Sequence, residues 1–243
     1  ARLQRLCTII CTTPEFWRVI DLPQSSDLVS LYLHLSHGCT LDVRISSPAC
    51  KRDPPLDEAA ISQIVPHASR IRSLSVNLPM DDIPLVEPLF EAELPVLRHL
   101  NIILVRNSGS EWSSWLNLGL SRAKLPHLRS LVVKHVELPP LSAFWRSLLV
   151  FKLCQLPTSP SEVMPARDVL EILRQNITLE EVHILSNGCL CAEDAAEPTT
   201  LSSRSSPKVF CPNLHVFVLH SESIVARHGP IVRVQASRRH TSR

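Results

Sequence analysis

His183, Cys189, Cys191 and Cys211 are the residues whose types come nearest to doing chemistry, because imidazole and thiolate are the donors of a tetrahedral zinc site. Their setting argues against it. Cys189 and Cys191 form a C-x-C pair inside residues 188–207, a stretch rich in Ala, Ser, Thr and Glu with little apolar periodicity. A chain of this composition does not hold a rigid ligand cage. The eight Cys, at 7, 11, 39, 50, 154, 189, 191 and 211, follow no regular spacing and several stand in apolar stretches, the pattern of reduced structural thiols. No metal and no cofactor are expected.

Catalysis is equally thinly supplied. There is no Gly-rich phosphate loop, H-E-x-x-H helix, G-x-S-x-G elbow or paired C-x-x-C. With five Gly against twenty Pro, the connections are stiff rather than phosphate-cradling. The sequence therefore predicts a protein that is not an enzyme. Trp17, Trp112, Trp115 and Trp145 stand at helical or strand spacing with Leu or Phe, which favours core packing over exposed anchors. Arg227, Arg233, Arg238, Arg239 and Arg243 give the end of the chain a basic character. Without interleaved aromatics they read as a solvated tail, and nucleic acid is not the expected partner. Asn176-Ile177-Thr178 is a formal glycosylation sequon, read as silent.

Recognition of another protein is the chemistry that remains, and it depends on the elements beneath it. Residues 125–138, LPHLRSLVVKHVEL, place Leu128, Leu131 and Val133 at positions one, four and six of an L-x-x-L-x-L unit, behind Pro126, which is expected to hold the entry extended. The spacing recurs at Ile71/Leu74/Val76, Leu97/Leu100/Ile102, Leu148/Phe151/Leu153, Leu179/Val182/Ile184 and Leu214/Phe217/Leu219. Strand side chains alternate, so positions four and six point inward together and position one fills the layer beneath. No unit buries that face alone. Six units stepping by roughly 20 to 35 residues predict an α/β fold: a curved leucine-rich-repeat solenoid with a parallel sheet on the concave side and helices and loops on the convex side.

Positions three, five and seven then face away from the core. They are Ser73, Ser75 and Asn77; His99, Asn101 and Ile103; Ser130, Val132 and Lys134; Val150, Lys152 and Cys154; and Glu181, His183 and Leu185. Mixed polar and apolar side chains on a stiff sheet suit a protein substrate on the concave face. Lys134 and Lys152 have no acid at the outward positions of their own strands, which predicts a surface for an acidic partner.

Helices are expected between the strands: Leu3, Leu6, Ile9 and Ile10 on one face near the start, closed by Thr12-Thr13-Pro14; Leu28, Leu31 and Leu35 within 27–37; Ala60, Ile61, Ile64 and Val65 behind an Asp57 cap, with Pro66 closing. Further helices are expected around Val86, Leu89 and Phe90, around Trp112, Trp115, Leu116 and Leu120, and around Val169, Leu170, Ile172 and Leu173. A first strand is expected at Trp17, Ile20 and Leu22.

Arg5, Ile9, Thr13, Pro14, Phe16, Trp17, Ile20, Asp21 and Leu22, followed by the helix of 27–37 and Leu41-Asp42-Val43-Arg44-Ile45, resemble fungal F-box-like proteins with irregular leucine-rich repeats. The likeness covers roughly residues 5–220. It implies substrate recognition for a cullin-type ubiquitin ligase, in the cytoplasm or nucleus. Two departures stand out: Leu6 occupies the place of a usual Trp, and the first half of the F-box, opening L-P-x-E-[IL], does not precede it. A Skp-type adaptor is therefore expected to bind only if a complete F-box lies upstream, and the start at Ala1 suggests that a segment precedes the chain. The alternative is a repeat scaffold independent of any ligase, with nucleic-acid contact through the tail.

The expected organisation is 1–22 as an F-box-like helix and first strand, 23–222 as the repeat domain with a flexible insertion at 188–207, and 223–243 as a disordered basic tail. With 25 Lys and Arg against 23 Asp and Glu, the net charge of +2 implies neither nucleic acid nor an anionic membrane. No run of eighteen apolar residues and no leader-like start is present, so no membrane partner is expected.

Overall fold

The computed structural model describes residues 2–46, 55–105, 125–134, 147–155, 166–186, 209–221 and 234–236. The expected helix around Trp112, Trp115, Leu116 and Leu120, together with Trp145 and the insertion at 188–207, lies outside them. Contacts divide the chain into two compact units, Ala1–Ser130 and Leu131–Arg243.

Unit 1 opens with helix α1 (Arg2–Thr12) and a 3-10 turn (Pro14–Trp17). The Thr12 and Thr13 hydroxyls donate back to the carbonyls of Thr8 and Ile9, at 2.8 and 2.7 Å, and Trp17 Nε1 donates to Ile10 O at 2.8 Å. The bonds to Ile9 and Ile10 occupy carbonyls that a helix end leaves without partners, and Pro14 prevents continuation. The Trp17 ring meets Tyr32 edge-on, with centroids 5.1 Å apart. Strand β1 (Val19–Leu22), helix α2 (Ser26–Leu35) and strand β2 (Leu41–Ser46) follow close to their expected places, but α2 buries Val29 and Leu33 and leaves Leu28 and Leu31 of the expected apolar face exposed.

Helix α3 (Glu58–Ile64) starts where Asp57 accepts from the Ala59 amide at 2.9 Å, as its sequence position predicts. Pro66 does not stop the chain dead. It sits near the start of a second 3-10 turn (Val65–Arg70), where its missing N–H costs nothing, and this turn feeds strand β3 (Ile71–Pro79). Helix α4 (Ile83–Glu91) and strand β4 (His99–Val105) complete the series, and strand β5 (Ser130–Lys134) begins at the division between the units.

Unit 2 contains strand β6 (Val150–Gln155), helix α5 (Ala166–Gln175) and strands β7 (Glu181–Ser186), β8 (Val209–Cys211), β9 (Val216–Ser221) and β10 (Val234–Ala236). Among the described residues, eight of the ten strands form a parallel sheet in the order β1-β2-β3-β4-β5-β6-β7-β9, which is their order in the chain; β8 pairs with β10 in a separate two-stranded parallel sheet. Three residues of the expected basic tail thus belong to β10.

Every position-one residue, from Ile71 through Leu97, Leu128, Leu148 and Leu179 to Leu214, is buried. So are the inward residues of β3, β4, β6 and β7: Leu74 and Val76, Leu100 and Ile102, Phe151 and Leu153, Val182 and Ile184. Each such side chain contributes about 1.5–3 kcal/mol relative to exposure. The entry to the strands differs from expectation. Leu97, Leu128, Leu179 and Leu214 donate their amides to the carbonyls of Leu94, Leu125, Asn176 and Cys211, so each entry is a tight turn. Pro95, Pro126 and Pro212 occupy the second turn position, where a φ fixed near −65° fits, rather than holding the chain extended.

Candidate functional site

Chain order and sheet order coincide in β1 to β4 of unit 1, and a parallel strand–helix–strand connection is right-handed in nearly all proteins. Repeated crossovers of one hand, always adding to the same edge, put successive helices on the same face and leave the other bare. Doubly wound sheets instead reverse direction and cover both faces. The exposures agree: Leu74, Val76, Leu100 and Ile102 are buried, while Ser73, Ser75 and Asn101 are partly exposed and Asn77 and His99 are exposed.

Register assembles these outward side chains into rows across unit 1. Asp42, Ser73 and His99 are successive partners on β2, β3 and β4; Asp21, Arg44, Ser75 and Asn101 make the next row from β1; Ser46, Asn77 and Ile103 make the third. Asn101 Nδ2 donates to Ser75 Oγ at 3.1 Å, while Asn101 Oδ1 has no hydrogen-bond partner among the described residues. Sequence reasoning passed over the charged end of this face. Arg18 lies 3.4 Å from Asp42, and Arg44 lies 3.7 Å from Asp21. Extending the alternation of β3 back to β1 and β2 finds Asp21, Asp42 and Arg44. These pairs leave the face polar but nearly neutral.

In unit 2, Val150 is the partner of Glu181, and Lys152 of His183. Glu181 gathers its neighbours: Lys152 Nζ and His183 Nε2 each lie 2.6 Å from Glu181 Oε1. The hydrogen bond from Lys152, helped by His183, holds the Glu181 carboxyl below its usual pKa, against the opposing effect of desolvation. Lys152 is therefore not the free cation its own strand implies, because its acid comes from the neighbouring strand. Lys134 and Val132 stand at outward, partly exposed positions of β5, and Ser130 opens that strand in unit 1. Val150 is likewise partly exposed, while Leu185 and Val216 are exposed.

His183 thus faces Glu181. Cys211 is buried in the turn before Leu214, where burial pushes its thiol pKa up and disfavours the thiolate that a metal needs. Cys189 and Cys191 lie outside the described residues. Asn176 of the sequon is fully buried, its Nδ2 donating to Ile172 O at 2.8 Å. Among the described residues, no helix is long and apolar enough to cross a membrane. No family model, curated protein or solved structure matches this chain.

Proposed function

We propose that the chain is a protein-recognition module of the leucine-rich-repeat type, which binds a protein substrate on the outward, concave face of its strands and performs no catalysis of its own. One observation carries the reading. In β3, β4, β6 and β7 the parallel sheet buries one set of alternating side chains and leaves the other set, mixed polar and apolar and in register, open to a partner. The backbone of such a face is fixed by hydrogen bonds within the sheet, so a partner is bound with little ordering cost. The spacing of the six triplets and the repeated entry turn support the solenoid assignment.

The resemblance to F-box-like repeat proteins supports a narrower role as substrate receptor of a cullin-type ubiquitin ligase, in which a Skp-type adaptor engages a complete F-box upstream of the repeats. Fold alone implies no such role. Replacing the exposed Asn77 and His99 together with Arg tests the face. Association with the native partner is expected to fall at least about tenfold, with thermal unfolding nearly unchanged, since exposed substitutions cost under about 0.5 kcal/mol. Unaltered association by a folded variant would place recognition elsewhere.

A further inference from the structure

Unit 1 carries a second concentration of polar side chains, between α2, α3 and the turn Val65–Arg70. There a cleft of about 710 Å³ is lined by Ser30, His34, Ser62, Gln63, His67 and Arg70, among others, with no Asp or Glu in its wall. That volume lies within the range of small-molecule sites. Arg70 Nε donates to Cys39 O at 3.0 Å, Nη2 to Ser36 Oγ at 2.7 Å, and Nη1 lies 3.5 Å from His67 Nδ1. All three partners are uncharged acceptors. A guanidinium has five N–H groups, so two remain, and no carboxylate among the described residues forms a salt bridge with it.

His67 adds a donor. Burial, and then the charge of Arg70, lower its pKa, which keeps the ring neutral near pH 7. With Nδ1 turned to Arg70 as acceptor, its proton sits on Nε2. At the lip, His37 adopts a left-handed backbone with φ of 45°, although Gly38 stands beside it, and its ring lies 6.0 Å from that of His34. These imidazoles are not a metal cage: no group of three His, Cys, Asp or Glu among the described residues is placed to hold a metal ion. Gln63 Oε1 is a buried acceptor with no donor among the described residues, and it does not reach the cleft surface.

We propose that this cleft binds a small hydroxylated phosphate monoester, its phosphoryl oxygens taken by Arg70 and His67 and its hydroxyl groups by Ser30 and Ser62. A positive fork without a countercharge selects an anion. The space beyond the fork exceeds what a bare anion fills, and the Ser30 and Ser62 hydroxyls in the same wall match hydroxyl groups on the ligand. The site is independent of the outward strand face.

Titration calorimetry of the full chain at constant ionic strength, with glycerol 3-phosphate and with inorganic phosphate, tests this. Saturable one-to-one binding is expected, at high micromolar to low millimolar Kd, with the ester tighter than the free ion. Ser62→Asp, an exposed change on α3 that puts a carboxylate on the rim, should weaken it at least about tenfold, because like charges brought together oppose binding. Arg70→Lys should weaken it several-fold by losing the fork. If that variant fails to fold because Ser36 and Cys39 lose their partner, Ser62→Asp still decides. Equal affinity for both probes, lost in Ser62→Asp, supports the anion site with free phosphate as the ligand. No saturation up to about 10 mM, where binding is worth under about 3 kcal/mol, overturns the proposal, as does binding that Ser62→Asp leaves unchanged.

Discussion

Lys152 and Glu181 meet diagonally across the β6–β7 pair, 2.6 Å apart, although the register places Lys152 directly opposite His183. Their side chains are 38% and 30% exposed, which makes this a surface pair of modest strength. The Glu181 pKa is lower in the folded chain than its ordinary value, so its contribution is present above the carboxylate range and is lost as pH falls through the folded value. Glu181→Gln should therefore destabilise by under about 1 kcal/mol near pH 7. The gap to wild type should be smaller in acid than near pH 7, narrowing once pH falls below the ordinary carboxylate range and closing only below the lowered folded value. Urea unfolding in acid and near pH 7 checks this; a gap that widens in acid would contradict the pairing.

The alternation within each strand was legible because side chains repeat every two residues, and Leu128, Leu131 and Val133 mark the buried side without reference to any other segment. Pairings between strands were not. Glu181 neutralises Lys152 only because the register sets β7 beside β6, and no pattern in either strand states that register. The cleft was more deeply hidden: Arg70 reaches Ser36 and Cys39 across the whole of α3, through packing that no local spacing encodes. Pro126 misled differently, because a Pro suits both an extended entry and the second place of a turn, and only the bond from Leu128 to Leu125 decides between them.

Adjacent residues of β3 should respond very differently to truncation. Leu74 is fully buried, and Leu74→Ala should cost about 2–5 kcal/mol through lost contacts and the cavity left behind. Ser75→Ala loses the hydroxyl that accepts from Asn101 and should cost about 1 kcal/mol or less. Denaturant midpoints of the two variants check the assignment of faces. Equal losses would mean that the strand does not alternate as described.

Asn176 is buried in the turn between α5 and Leu179, donating to Ile172 O while its backbone carbonyl accepts from Leu179. Replacement by Asp would remove the donor and bury a carboxylate. Asn176→Asp should therefore destabilise by several kcal/mol near pH 7, with partial recovery in acid, and Asn176→Ala by about 1–3 kcal/mol. Thermal unfolding against pH separates the two. An Asp variant as stable as wild type at neutral pH would show that the site is open to water.

His37 and Gly38 provide a test of backbone strain at the end of α2. The left-handed φ of 45° belongs to His37, and a β-carbon in that conformation costs about 1–2 kcal/mol. Glycine relieves the steric cost but adds freedom to the unfolded chain, so His37→Gly should be neutral to modestly stabilising. Val at the same place, branched at the β-carbon, should destabilise by more than about 1 kcal/mol. Gly38 does not have a left-handed φ, and a β-carbon built on it meets nothing within 4 Å. Gly38→Ala should then stabilise by about 0.4–1 kcal/mol by restricting the unfolded chain. Differential scanning calorimetry of the three variants fixes the order, and a Gly38→Ala more damaging than His37→Val would move the strained residue from 37 to 38.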